Sequence, residues 1–300
     1  MGMDRTRRWW RTGVTAFNLW LDSGAFSQAA ALAFYTLFSM APVIIITVSV
    51  IGLVLGEQAA QGQIAGQMRE VMGAEAARAV EQAVANSRLQ ASGLWPSLLG
   101  IVTLLVGATT VFGQMQQSLN AIWGVAARPN RNSMLLFLQS RLLSLAVVVA
   151  IGFVLLVSLL LGVLLQAFLE FVYDFIPAVA ALLTAAELLI SFVVVFLLFG
   201  TIFKVLPDVV LRWRDVLVGA WVTAVLFSAG RYAIAAYLAY TATASAYGAA
   251  GSLVLILLWV YYSSLIMLLG AAFTKARLIE RGGHVVPRNS AVLVHRELRE

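Results

Sequence analysis

Glu187 and Arg231 are the two ionisable residues that sit well inside apolar stretches of this 300-residue chain. A charge held in hydrocarbon costs about 2.5–3.5 kcal/mol even on the lenient insertion scale, so each marks a candidate functional position. The stretches that carry them, about residues 177–203 and 216–240, flank the short polar break 207–215 and read as a helical hairpin. If the first runs from outside to inside and the second returns, both residues fall ~5–6 Å to the outer side of the midplane. Equal depth on antiparallel neighbours permits an ion pair. Such a pair is either a lock between two helices or part of a solute or proton path, and depth alone leaves both readings open.

Uncharged polar residues supply the other candidates. Gln114, Gln117 and Ser118 fall on one helical face at i, i+3 and i+4 near the end of the stretch 94–123, with Asn120 just beyond. Tyr35 precedes Pro42 in the stretch 28–55, where a mid-span proline frees a carbonyl and kinks the helix. Tyr262 follows Trp259 in the stretch 248–274, and a phenol buried there needs a hydrogen-bond partner. Glu187, Arg231, Gln114, Gln117, Asn120, Tyr35 and Tyr262 are therefore the candidates for a substrate pathway. Interhelical hydrogen bonds explain the uncharged ones equally well.

Conventional catalytic chemistry is missing. There is no HExxH, no phosphate-binding glycine loop and no G-x-S-x-G; cysteine is absent, and both histidines, His284 and His295, lie in the polar tail. The chain is not expected to be an enzyme, to bind nucleic acid, or to hold a metal or cofactor.

The elements that must position these residues follow from composition. With 61% hydrophobic and 11% charged residues and a mean hydropathy of +0.91, the expected fold is an all-α, polytopic integral membrane protein. Charge is absent between Asp22 and Glu57, between Arg88 and Arg128, and between Arg141 and Glu170. Each gap exceeds the ~20 residues needed to cross a bilayer. A six-helix transmembrane bundle results, with spans at about 28–55, 94–123, 142–169, 177–203, 216–240 and 248–274. An external loop, 57–93, reads as two short amphipathic helices divided near Gly73, either capping a cavity mouth or covering the loop. In the last span, Ala244, Gly248 and Ser252 form a small-residue stripe suited to close helix approach.

Residues 1–24 form an N-terminal interfacial amphipathic helix in this reading. Trp9, Trp10, Phe17, Trp20 and Leu21 oppose Arg7, Arg11, Thr15, Asn18 and Asp22, and the aromatic residues anchor it along the membrane surface. No cleavable signal peptide is expected. Sixteen of the 20 basic residues fall on one side of the six-span arrangement, which places both termini in the cytoplasm. The basic tail 275–300 then reads as a polar extension able to touch anionic lipid headgroups.

Several ordered blocks resemble the YihY/BrkB family of inner-membrane proteins, once labelled ribonuclease BN, over about residues 25–280. They are Ala31-Leu-Ala-Phe-Tyr-Thr-Leu-Phe-Ser39 with Pro42, Gln117-Ser-Leu-Asn-Ala-Ile-Trp123 and Lys204-Val-Leu-Pro207. Trp213-Arg-Asp215 with Gly219-Ala220, Tyr247-Gly-Ala-Ala-Gly-Ser252, Leu258-Trp-Val-Tyr-Tyr-Ser-Ser264 and Gly270-Ala271 continue the likeness. The resemblance implies a six-span protein of the bacterial inner membrane, for whose relatives transport has been proposed. Ala272 stands where the family commonly has a glutamate, so an ion-coupling role of that carboxylate does not carry over. The expected function is permease-like movement of a small polar or amphiphilic solute in contact with membrane lipids. The alternative is a non-transporting membrane scaffold or envelope-integrity protein; ribonuclease activity is not expected.

An ion pair between Glu187 and Arg231 has a measurable signature. Replacing either residue alone with glutamine should cost about 3–5 kcal/mol, because the survivor is a lone buried charge, and the double replacement should recover much of that loss. Denaturation of the purified variants in detergent measures the cycle, and additive losses would exclude the pair.

Overall fold

A computed structural model of the chain describes residues 2–39, 110–128, 180–240 and 243–294. They form six helices: α1 (Gly2–Asp22), α2 (residues 25–39), α3 (110–123), α4 (Ala180–Val205), α5 (Trp213–Tyr240) and α6 (Thr243–Glu280). Two short strands, β1 (Val125–Ala127) and β2 (Ala291–Leu293), pair antiparallel in the register Val125↔Leu293 to Ala127↔Ala291. The expected span 142–169 and external helical loop 57–93 lie outside the described residues, as does most of the span 28–55 and the first part of 94–123.

Among the described residues, three helices are long and apolar enough to cross a membrane, over Leu188–Val205, Trp213–Ala233 and Ile256–Glu280. Among the described residues, burial rises from 17% over Leu188–Val205 of α4 through 33% over Trp213–Ala233 of α5 to 50% over Ile256–Glu280 of α6, so α6 is the most covered of the three. The outward faces of α4 and α5 present Leu188, Leu189, Ile190, Val193, Leu197, Leu217, Trp221 and Val225 to the surroundings. A continuous apolar surface of this kind is what a helix offers to lipid, and in water it would aggregate.

Helices α5 and α6 meet through a reciprocal pair of small residues. A Cβ on Gly219 would collide with the Thr274 hydroxyl and the Gly270 carbonyl, and a Cβ on Gly270 with the Thr223 hydroxyl. Both threonines are fully buried. Each returns its hydroxyl to the glycine four residues earlier on its own helix, Thr223 to Gly219 O (2.9 Å) and Thr274 to Gly270 O (3.0 Å). Lipid offers no hydrophobic drive for helices to associate, so backbone approach and dispersion must supply it, and glycine permits the approach. An aromatic ladder ties in α4: Phe203, Phe199, Phe227, Trp259 and Tyr262 follow one another with centroid separations of 5.3–6.4 Å.

Helix α1 lies antiparallel along the C-terminal half of α6, its seam of Thr12, Ala16 and Trp20 buried. The Thr12 hydroxyl donates to Glu280, Trp9 stacks against Arg277 at 4.4 Å, and the Trp20 indole N–H donates to Leu265 O at 3.1 Å. Trp20, expected as a membrane anchor, is thus a protein contact: small Ala16 lets α1 sit close to α6 and carries the indole into the interface. The exposed apolar strip of α1 is Trp10, Val14, Phe17 and Leu21.

The tail is a second correction. Rather than extending freely from residue 275, the chain stays helical to Glu280 and closes with Gly282 at φ +74, where Gly282 N–H meets Ile279 O and Gly283 N–H meets Leu278 O. This left-handed cap turns the chain back on the bundle. It then bridges Val209 through Pro287 and pairs β2 with β1.

Gly219→Ala should therefore lower stability by about 1–3 kcal/mol, the usual cost of forcing a side chain into a packed contact. Gly200→Ala, whose Cβ would meet only Ala220 Cβ at 3.7 Å and the Trp213 ring at 4.0 Å, should be neutral or mildly stabilising. Thermal unfolding of both variants in one detergent checks the contrast.

Candidate functional site

At the end of the bundle where α3 and α4 stop, α3 and the C-terminal tail, far apart in sequence, converge on Asp208 in the α4–α5 turn. Its Oδ2 accepts from Asn120 Nδ2 (2.8 Å) and Gln116 Nε2 (3.2 Å), and its Oδ1 from Ser290 Oγ (3.3 Å). Its backbone N–H donates to Asn120 Oδ1 at 2.8 Å, and its carbonyl accepts Arg288 N–H at 2.9 Å. Asn120 thus gives both ends of its amide to one residue, in a reciprocal pair that fixes α3 to the α4–α5 turn.

Cations complete the junction. Arg288 donates to Val205 O (3.2 Å) and Lys204 O (3.4 Å) at the end of α4, Lys275 Nζ to Ile122 O (2.8 Å) at the end of α3, and Lys204 Nζ to Leu211 O. Helix C-termini carry unpaired carbonyls and a partial negative charge, so cations settle there. On the other side of the turn, Asp215 Oδ2 accepts Arg212 N–H at 3.0 Å and begins α5, while Val209 and Leu211 are buried beneath. The break 207–215 is thus a packed joint.

Above this clasp, between α2 and α3, lies a smaller polar group. Gln28 Oε1 accepts from Gln114 Nε2 (3.2 Å) and Ser118 Oγ (2.9 Å), and Ser118 Oγ also lies 2.8 Å from Gln114 O. Gln28 Nε2 and Gln114 Oε1 have no hydrogen-bond partner among the described residues, and both side chains are half-buried. Tyr35, seven residues beyond Gln28 on the same face of α2, is 38% exposed. Gln117, expected on the same face as Gln114 and Ser118, is turned outward and exposed, because Ser118 and Gln114 already fill the contact with Gln28.

The remaining candidates are separate from both groups. Tyr262 covers Gly230, and its hydroxyl donates to Leu226 O at 2.8 Å, which locks α5 to α6. The Arg231 guanidinium lies 5.4 Å from the Tyr232 ring centroid. Glu187 belongs to the helical backbone of α4, and its side chain, hence the pair with Arg231, lies outside the described residues. Sequence reasoning missed Gln28, Asp208, Lys275 and Arg288. An acid directly after Pro207 at a helix end was the available signal for Asp208.

Long helices with lipid-type outer faces, knit at one end by a polar joint, define a helical integral membrane protein. The family profile described as virulence factor BrkB matches residues 16–291, and the chain belongs to that family. It is 27% identical over 267 residues to the UPF0761 membrane protein Smlt0865 of Stenotrophomonas maltophilia (strain K279a), covering 88% of this chain and 60% of that protein. A UPF0761 membrane protein of Alcanivorax borkumensis is 27% identical over 282 residues, covering 93% of this chain and 63% of that protein. The UPF0761 membrane protein MS0032 of Mannheimia succiniciproducens is 27% identical over 264 residues, 85% of this chain and 86% of that protein. The chain spans about 60% of the length of the first of these relatives. No solved structure matches it. The blocks Gln117–Trp123, Lys204–Pro207 and Trp213–Asp215, which carry the family likeness, are the segments that meet around Asp208 and the adjoining turn.

Asn120→Ala and Asp208→Ala should each cost about 1–3 kcal/mol, since each strands buried partners, and the double variant should cost clearly less than their sum. Gln117→Ala should stay within about 0.5 kcal/mol of the parent. Denaturant titration of all four variants tests the clasp.

Proposed function

We propose that this protein is a multi-pass permease of the bacterial inner membrane, with both termini cytoplasmic, that moves a small polar or amphiphilic solute. The observation that carries the reading is the Gln28–Ser118–Gln114 group. Its amides keep a donor and an acceptor unengaged among the described residues, in a half-buried position between α2, otherwise rich in Ala, Leu and Phe, and the polar-rich α3. A polar group kept open in such surroundings suits a path for water or solute, whereas a purely structural network closes on itself. In this reading Tyr35 extends the path along α2, and Glu187 with Arg231 forms its charged station in the outer half. No catalysis, cofactor, metal or nucleic acid enters the mechanism. The Asp208 clasp supports a second reading, a non-transporting scaffold, because both ends of the Asn120 amide and both carboxylate oxygens of Asp208 are spent on joining segments.

Because cysteine is absent, single cysteines distinguish the two readings directly. A wet path predicts that Gln114→Cys reacts with a membrane-impermeant methanethiosulfonate at a rate comparable to the outward-facing Gln117→Cys. Protection of Gln114→Cys beside a reactive Gln117→Cys favours the scaffold. Arg281→Cys should react in inverted vesicles and not in intact spheroplasts; the opposite result would reverse the proposed topology.

A further inference from the structure

A groove of about 610 Å³ opens between α1 and the last turn of α6, lined by Trp10, Arg11, Val14, Thr15 and Glu280. Its two charges are opposite in sign and do not pair with each other. Glu280 directs Oε2 to Thr12 and to Arg277 Nη1 (3.5 Å), which leaves Oε1 without a partner among the described residues. Arg11 makes no hydrogen bond or ion pair among those residues. Beside the groove runs the exposed strip Trp10, Val14, Phe17 and Leu21, with Trp10 75% exposed. Arg7, Arg11, Asn18 and Asp22 follow on the next face of the same helix. Three faces thus divide α1: one against α6, one apolar and open, and one polar.

We propose that this groove binds the zwitterionic headgroup of an aminophospholipid, with the phosphate on the Arg11 guanidinium and the primary ammonium on the free oxygen of Glu280. Charge complementarity selects this occupant. A guanidinium forks onto phosphate oxygens, and a primary ammonium donates hydrogen bonds to a carboxylate where a trimethylated one has none to give. An anionic headgroup would satisfy Arg11 but meet the Glu280 carboxylate unfavourably. The open strip of α1 then lies on the acyl chains, with the Trp10 indole at headgroup level, as amphipathic basic helices lie at a bilayer surface. The site is independent of any solute path between α2 and α3.

Native mass spectrometry of the full chain, released from nanodiscs holding equal amounts of phosphatidylethanolamine, phosphatidylcholine and phosphatidylglycerol, tests the assignment. The parent should retain phosphatidylethanolamine over phosphatidylcholine by about two- to fivefold, the scale of one partly exposed charged contact. Arg11→Gln, at an exposed position, should lower retention of all three lipids. Glu280→Gln should erase the preference for the primary ammonium while leaving phosphate-dependent retention in place. Should loss of Glu280 unfold the α1–α6 contact, the parent's lipid ratio and the Arg11 variant decide alone. Equal retention of the two zwitterionic lipids, a preference for phosphatidylglycerol, or an Arg11 variant that behaves as the parent would each overturn the proposal.

Discussion

Helices that end near or inside a low-dielectric layer leave carbonyls with no partner, and this constraint organises the end of the bundle where α3 and α4 stop. Each unsatisfied group costs a kcal/mol or more there, roughly 1–3 by mutational estimates. The chain answers with cations from elsewhere: Lys275 of α6 on Ile122 O and Arg288 of the tail on Lys204 O and Val205 O. Because each cap comes from a different segment, satisfying the helix ends also decides which segments are neighbours. Asp208 then needs donors of its own, and Asn120, Gln116 and Ser290 supply them.

Helix α6 is the member on which the others register. Its small-residue face holds Gly270 and Thr274 against Gly219 and Thr223 of α5, and its continuation to Glu280 offers α1 a surface of buried Ala272 and Ala276. Small side chains contribute little dispersion themselves, yet they set the interaxial distance at which everything larger must fit. The aromatic ladder from Phe203 to Tyr262 fills the wider part of the same interface, which explains why bulky and very small residues alternate along α5 and α6.

The membrane class and the presence of long apolar helices were legible in the sequence because they depend on apolar length, which needs no partner to be recognised. The α5–α6 contact was not. Ala244, Gly248 and Ser252 drew attention as a small-residue stripe, and their side chains lie outside the described residues, while the contact seen is made by two Gly-x-x-x-Thr pairs. Glycine and threonine four apart become a motif only when a second copy faces them. The clasp was hidden for the same reason: Asn120 looked like a pathway residue because its partner, Asp208, lies 88 positions away. Trp20 was read by composition as a lipid anchor, and only the carbonyl of Leu265 identifies it as a contact between helices.

Saturation separates the two polar groups more sharply than residue type does. Asn120 and Gln114 are both amides on α3, six residues apart, yet Asn120 is buried with oxygen and nitrogen both committed to Asp208, whereas Gln114 keeps its oxygen unengaged among the described residues. A closed network resists exchange with water, since breaking any bond strands two groups; an open one accepts a water or a solute hydroxyl at little cost. On that ground the clasp is the tied-down end of α3 and the Gln28–Ser118–Gln114 group the more open polar surface above it. Ser118 neighbours Leu119 and Asn120 in the same helical turn, so a solute drawing on Gln114 would pull against a helix end that Asp208 and Lys275 hold still. In the proposed permease reading, one helix, α3, would supply both a rigid support and the open polar surface in front of it.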